Sequence, residues 1–385
     1  ITFYQLYFFS RLCYHKIYER REEEFRKTGC SSDICLGDEE FGLSIIICAK
    51  NELENLKNNL PKILNQKGVQ DDHGIDCLEV IVVNDQSTDD TLQFLEEMEN
   101  KFNHLKIVNI DDFVTHSEGK KFALTLGIKS ATYENLLLTD ADCIPNTLDW
   151  AHIMNKCLGS NSSYNTRENN RKIILGYSQY RKHKGILNKI IRFDTLNVAQ
   201  QYLSFALANM TYMGVGRNLA YKKHLFFENK GFASHIHIPS GDDDLFIQEI
   251  ASSSTVNIEI SKETHTISEV TNSWKDWIYQ KRRHLSTAPL YKTKIKLLLA
   301  IYPLAQVIFL ISIILALVLD INLLPIIILL LFKLFISYII NYQTMRKLNV
   351  RDLYWLHPIY EIFHLFIQVN FVLLNLFQKP RKWSR

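Results

Sequence analysis

A chain of 385 residues has room for one large domain or two ordinary ones, each with a core of its own. Its 44 basic and 41 acidic side chains leave a formal net charge of +3, too small to argue for a nucleic-acid partner, and none is expected. Hydrophobic residues at 47% and aromatics at 12% suit a globular protein, but they are unevenly spread: charge alternates with apolar periodicity up to about Thr293, and long uncharged runs follow.

The chain opens on "ITFYQLYFFSRLCYHK", which reads as the last turns of an apolar helix followed by basic residues. Residues 1–40 are therefore expected to be a juxtamembrane segment, with Tyr18 to Lys27 as a solvated charged helix. Because no small-residue cleavage site follows, a membrane anchor upstream is expected rather than a cleaved signal peptide. The seven cysteines show no CxxC spacing, and Cys48 and Cys77 fall in or beside predicted buried strands. They read as reduced thiols of a cytosolic domain.

From Leu43 onward, short β-branched runs alternate with amphipathic stretches. "LSIIIC" precedes Leu53 to Gln66, "LEVIVVN" precedes Thr88 to Asn100, "LKIVNI" precedes Lys120 to Ala131, and "NLLLT" comes next. Continuous apolar runs separated by helices predict strands buried on both faces of a largely parallel sheet. Residues 41–290 are thus expected to form an α/β domain. Ligands of open α/β sheets bind beyond the carboxyl ends of the strands. Here those ends are polar in series: "AKNE", "NDQSTDD" and "TDAD".

No glycine-rich phosphate loop follows the first strand, which excludes a dinucleotide fingerprint and a P-loop. A metal is the natural substitute. Asp140 and Asp142 offer hard oxygens that suit Mg²⁺ or Mn²⁺, ions that usually bridge carboxylates to substrate phosphates. Asp85 directly follows its strand, where its carboxylate can accept from the imide N–H of a nucleobase, whereas Ser87, Asp89 and Asp90 read as helix caps. In "GKKFALTLGI", Lys120 and Lys121 at a helix start are either solvated or facing an anion. "GVGRNLAYKK" reads as a turn before a short strand; its Gly214, Arg217 and Asn218 are substrate-contact candidates. "SGDDDLFIQEI" places three acids, Asp242, Asp243 and Asp244, where capping needs one or two, leaving a carboxylate for general-base work. "WKDWIYQKRRHLSTA" reads as an interfacial helix whose Gln280, Arg283 and His284 can also face a departing diphosphate.

The uncharged run Leu297 to Leu319 is long enough to cross a bilayer, which takes roughly 20 residues. Leu323 to Ile340 is interrupted by Lys333, and Ile359 to Phe377 contains Glu361, His364 and Gln368. Residues 295–378 are read as a membrane region of two to three helices. The third run carries its polar residues at helical spacing on one face, so an interfacial or re-entrant helix is at least as well supported as a span. Basic clusters around the first two runs put the α/β domain and the Arg346 to Arg351 loop on the cytoplasmic side, with a short external turn near Asp320. Snorkelling or pairing with Glu361 would accommodate Lys333.

The series "SIIICAKNE", "VIVVNDQST", "GKKFAL", "LLLTDADCIP", "GVGRNLAY", "SGDDDLF" and "QKRRH", spanning about Leu43 to Ala288, resembles the family 2 glycosyltransferases, inverting enzymes with a GT-A fold. The resemblance implies a doubly wound mixed sheet and transfer from a nucleotide-sugar donor of UDP or GDP type to a lipid-linked or saccharide acceptor at the inner membrane, as in cell-envelope glycan or glycolipid synthesis. It places Asn51, Glu52 and Asp85 around the nucleotide, Lys121 near its phosphates, and the divalent cation on Asp140 and Asp142. Asp242 becomes the catalytic base, with Asp243 beside it. Two positions depart from the family pattern. Gly241 stands where Glu often precedes the base, and His284 stands where membrane synthases carry Trp. The second departure weakens the alternative of a processive synthase of the cellulose or hyaluronan type. A non-catalytic nucleotide-binding module is disfavoured because the key acids are all present, and a nucleotidyltransferase gives no reason for "SGDDD" and "QKRRH".

Overall fold

The computed structural model describes residues 1–15, 42–69, 76–110, 119–159, 171–238, 240–253, 255–271, 273–320 and 322–377. The charged stretch Tyr18 to Lys27, Cys30, Cys35 and the basic tail beyond residue 377 lie outside these residues.

Strand β1, Leu43–Ala49, is apolar at nearly every position because it is an interior strand of a sheet covered on both faces. It pairs in parallel with β2, Leu78–Asp85, and with β4, Asn135–Asp140; β2 in turn pairs in parallel with β3, Leu105–Ile110. Beyond β4 the direction reverses. β8, Leu219–Lys222, runs antiparallel to β4 and to β6, Ile173–Leu175, and β6 pairs in parallel with β9, Val256–Ile258. The order of this seven-stranded sheet is β3-β2-β1-β4-β8-β6-β9, a mixed sheet as the resemblance implied. A second sheet of three short strands, β5 (Cys143–Pro145), β10 (Thr266–Ser268) and β7 (Ser178–Tyr180), begins just past the end of β4.

Alternate residues of β1 and β2 face a core built with the helices Leu53–Leu64 and Trp150–Gly159, where Ile45, Ile47, Val80, Val82, Leu60 and Trp150 are fully buried. Each such side chain contributes about 1.5–3 kcal/mol relative to exposure. That core holds the strand ends rigidly in register, so the polar residues beyond them share one rim.

The chain divides into two compact units. One holds the sheets; the other gathers the described residues of Ile1–His15, Lys182–Tyr212 and Thr271–Pro380. The helices Ile186–Leu207 and Trp274–Leu285 group with the apolar helices. Two helices, Thr293–Val318 and Leu324–Lys347, are long and apolar enough to cross a membrane. A third, His357–Phe377, is amphipathic: Ile359, Ile362, Phe363 and Phe366 are exposed, while Glu361 and His364 turn inward.

The interior of this helical unit is polar where its helices meet. Glu361 accepts from Tyr302 at 2.6 Å and pairs with Lys333, and Gln5 donates to Tyr302 at 2.8 Å and Ser337 at 2.7 Å. Lys333 thus takes the Glu361 partner that the sequence offered it. Lys347 caps the end of the Ser10–Tyr14 helix by donating to the carbonyls of Leu12, Cys13 and His15 at 2.8, 2.7 and 2.6 Å.

Candidate active site

At the end of β1, Asn51 adopts φ +54°, and at the end of β2, Gln86 adopts φ +52°, left-handed conformations that a non-glycine residue holds only under local constraint. Hydrogen bonds between the two loops supply it. The Asn51 amide donates to Ser87 Oγ at 2.9 Å, the Thr88 amide donates to Asn51 Oδ1 at 2.7 Å, and the Glu52 amide donates to Thr91 Oγ1 at 3.2 Å. Asn51 therefore shapes the rim as a stitch between loops, with its side-chain oxygen already engaged.

Asp85, the last residue of β2, is 2% exposed, and neither of its oxygens has a hydrogen-bond donor among the described residues. Its closest cation is Lys50 Nζ at 3.9 Å. Burial pushes its carboxyl above the ordinary value and Lys50 pulls it part of the way back. A buried acceptor without a donor is costly, and a ligand N–H would satisfy it.

β4 ends on Asp140, and Asp142 follows in the turn into β5. The helix Lys120–Ser130 starts beside it, after Gly119 with φ +69°. From its first turn, Lys120 Nζ reaches Asp140 Oδ1 at 2.8 Å and Asp242 Oδ2 at 3.1 Å, so one ammonium bridges two carboxylates that are far apart in the sequence. Burial lowers the proton affinity of Lys120, but Asp140 and Asp242 outweigh it and hold the ammonium well above its usual value. Burial raises Asp242, and Lys120 overrides it to bring the carboxyl below the ordinary value.

The neighbouring lysine faces elsewhere. Lys121 is buried and donates to the carbonyls of His235 at 2.6 Å and Ile238 at 3.0 Å, and burial lowers it to about 8. Of the two lysines, the resemblance put Lys121 at the phosphates; in the structure Lys120 stands among the acids, and Lys121 ties down the segment that leads to Asp242. One residue of helix turns a side chain by about 100°, which decides between them.

Asp243 caps the Asp244–Ile250 helix, accepting from the Asp244 amide at 2.8 Å, and its other oxygen accepts from the Gly216 amide at 2.9 Å. Burial, then the neighbouring charges of Asp242 and Asp244, raise its carboxyl to about 7. Lys120, Asp140, Gly216, Asp242 and Asp243 line one small cavity with Cys48 and Thr139.

Arg217 is held over the Tyr180 ring at 4.5 Å and donates to Ser268 at 3.2 Å. Burial acts against its charge, but Tyr180, Cys143, Asp142 and Asp140 hold its pKa above the usual arginine value.

Two of the substrate-contact candidates, Gly214 and Asn218, are buried in the fold. Asn218 is fully buried, donates to the carbonyls of Tyr177 at 2.9 Å and Thr264 at 2.7 Å, and accepts from Trp150 Nε1 at 3.0 Å. Its side chain is a hub of the fold with no donor left to offer. Gly214 is a packing glycine, since a Cβ there would come within 2.9 Å of Leu219 Cδ1. Gln280, Arg283 and His284 lie on the Trp274–Leu285 helix of the helical unit.

Sequence reasoning missed Gly216, whose amide holds Asp243, and Lys50 beside Asp85. The "GVG" run flagged flexibility there, but nothing in it marks one amide as a partner for a distant acid.

Among the described residues, no three His, Cys, Asp or Glu side chains converge into a complete metal cage. Asp140 and Asp142 nonetheless fit a hard divalent cation in their oxygen chemistry. The ammonium that Asp140 has drawn into the cavity shows that the site attracts positive charge. An ion there would complete its coordination with oxygens other than protein carboxylates.

A mixed sheet whose parallel half ends in Asp85 and the Asp140–Asp142 pair defines a GT-A-type glycosyltransferase fold. A solved mannosyltransferase from Pyrobaculum calidifontis, in complex with GDP-Man and Mn²⁺, superposes with a TM-score of 0.51 over 87% of this chain and 94% of that one, at 18% sequence identity. Residues 44–209 match the family model "Glycosyl transferase family 2". Two curated relatives are named poly-beta-1,6-N-acetyl-D-glucosamine synthase. The one from Staphylococcus epidermidis is 30% identical over 161 residues, 40% of this chain and 36% of that protein. The one from Staphylococcus aureus (strain COL) is 28% identical over 173 residues, 43% of this chain and 39% of that protein. The matches thus span well under half the length of these relatives.

Proposed function

We propose that this chain is a metal-dependent inverting glycosyltransferase that moves a sugar from a nucleoside diphosphate sugar to a hydroxyl of a lipid-linked or saccharide acceptor at a membrane. The observation that carries this reading is the Lys120 bridge: it brings a strand-end carboxylate suited to a cation and a helix-start carboxylate suited to a base into one cavity. The names of the curated relatives favour an N-acetylglucosamine donor, and the mannosyltransferase shows that a protein of this fold binds Mn²⁺ together with a nucleotide sugar.

In this mechanism Asp85 accepts an N–H of the nucleobase, which satisfies its unpaired oxygens. Asp140 and Asp142 would hold the cation, which when bound neutralises charge on the departing diphosphate. Asp242 takes the proton from the acceptor hydroxyl while that oxygen bonds to the anomeric carbon; the bond from that carbon to the diphosphate oxygen breaks on the opposite face, and the configuration inverts. Asp242 is the base rather than Asp243, because both oxygens of Asp243 already accept backbone amides. Asp243 holds the helix start in place.

The apolar helices Thr293–Val318 and Leu324–Lys347 support a multi-pass inner-membrane location with the sheet unit in the cytoplasm. Extracellular cysteine labelling is expected to reach a probe at Asn322 and miss one at Asn349; labelling at Asn349 would reverse the topology.

The function is tested by incubation with labelled UDP- and GDP-sugars and identification of the released nucleotide. Asp142→Ala is expected to abolish both turnover and its dependence on divalent cation. Asp242→Asn is expected to keep donor affinity and lower transfer by a factor on the order of 10² or more. No nucleoside diphosphate release from any donor would overturn the assignment. Full activity of Asp242→Asn with loss in Asp243→Asn would move the base by one residue.

A further inference from the structure

Lys120 sits where an ammonium does the work of two different cations. On one side it neutralises Asp140, an oxygen ligand available to a divalent ion; on the other it neutralises Asp242, the base. Its side chain is 22% exposed and those of Asp140 and Asp242 are 31% and 13% exposed, so solvent screens the trio only partly. Close carboxylates that share little water need a counterion. A divalent ion that takes Asp140 must compete with the ammonium, and an ammonium paired to Asp242 opposes proton uptake there.

We infer that Lys120 is a placeholder cation: in the ligand-free protein it occupies Asp140 and masks Asp242, and it moves to the diphosphate when donor and metal arrive. The lysine stem is long and flexible, and its ammonium is a compact point charge, which suits it to exchange one anionic partner for another. Donor binding then does two things at once. It frees Asp140 for the ion and removes the charge that holds Asp242 in its ion pair.

This inference rests on the proposed metal and base assignments, so its test reads metal binding without turnover. Mn²⁺ alone is titrated into the full chain and followed by electron paramagnetic resonance. Lys120→Met is expected to bind Mn²⁺ several-fold more tightly than the unmodified protein, while its affinity for nucleoside diphosphate falls by a comparable factor. Lys120→Arg, which keeps the charge, is expected to retain the weak Mn²⁺ binding. Should Lys120→Met fail to fold, Lys120→Gln keeps a donor for Asp140 without the charge and is read in the same way. Unchanged or weaker Mn²⁺ binding in the neutral variants would overturn the placeholder role while leaving the transferase reading intact if the unmodified protein turns over. Mn²⁺ binding that survives Asp140→Asn combined with Asp142→Asn, with no turnover of any donor, would instead remove the site assignment on which both rest.

Discussion

Lys281 Nζ lies 2.7 Å from Asp194 Oδ2, and His364 Nε2 lies 2.9 Å from the other oxygen of the same carboxylate. Asp194 belongs to the Ile186–Leu207 helix, Lys281 to the helix that also carries Gln280, Arg283 and His284, and His364 to the amphipathic helix His357–Phe377. One buried carboxylate therefore joins three helices that are distant in sequence. Removing one partner of such a group leaves the others uncompensated, a cost of about 3–5 kcal/mol. Asp194→Ala is expected to lower the urea midpoint in detergent accordingly. Burial raises the Asp194 carboxyl, but Lys281 and His364 outweigh it and hold it below its ordinary value. Its stabilisation is thus present above the unfolded value near about 4 and is lost as pH falls through the folded value. Acid unfolding of the unmodified protein, but not of Asp194→Asn, is expected to show this loss.

Asp243 has the opposite sign. Its folded pKa of about 7 exceeds the unfolded one, so stability it supplies at low pH is lost as pH rises toward 7. Asparagine removes the charge but keeps only one of the two oxygens that accept backbone amides, so it loses one of these hydrogen bonds at every pH. The melting temperature of Asp243→Asn relative to the unmodified protein is expected to rise between pH 4 and pH 8, as the unmodified protein loses its pH-dependent share. A constant difference across this range would show that the carboxyl is not raised.

Asn218 joins Trp150, Tyr177 and Thr264 through three buried hydrogen bonds. Asn218→Ala would take the partner from the Trp150 indole N–H and from the Thr264 carbonyl, while the Tyr177 carbonyl still accepts from the Thr266 amide at 3.3 Å; each buried group left unsatisfied costs about 1–3 kcal/mol. The expected result is a large drop in melting temperature with little change in KM for the donor in the folded fraction. A selective rise in donor KM without destabilisation would restore Asn218 as a ligand contact.

Lys333, on the Leu324–Lys347 helix, pairs with Glu361 on the amphipathic helix His357–Phe377. Lys333→Met and Glu361→Gln are each expected to destabilise the protein. The double variant is expected to be more stable than the sum of the two predicts, with a coupling energy of about 0.5–3 kcal/mol in a double-mutant cycle. Strict additivity would mean that each side chain acts alone.

The sequence by itself determined the α/β sheet, the polar strand ends and the apolar helices, because these are encoded locally. Ile45 to Cys48 and Val80 to Val83 are continuous apolar runs of the kind a doubly covered strand shows, and Asp85 and Asp140 end their strands, with Asp142 two residues on. The three-residue strands β5, β7 and β10 were not legible, since they are too short to show a period. The tertiary structure alone decided which of two adjacent lysines enters the site, that Asn218 is a buried hub, and that Asp243 is held by Gly216. It also assigned the helices Ile186–Leu207 and Trp274–Leu285 to the helical unit. Each of these depends on the direction of a side chain relative to residues far away in the chain. Such directions follow from helix phase and from packing against distant elements, so no local pattern of residue types specifies them.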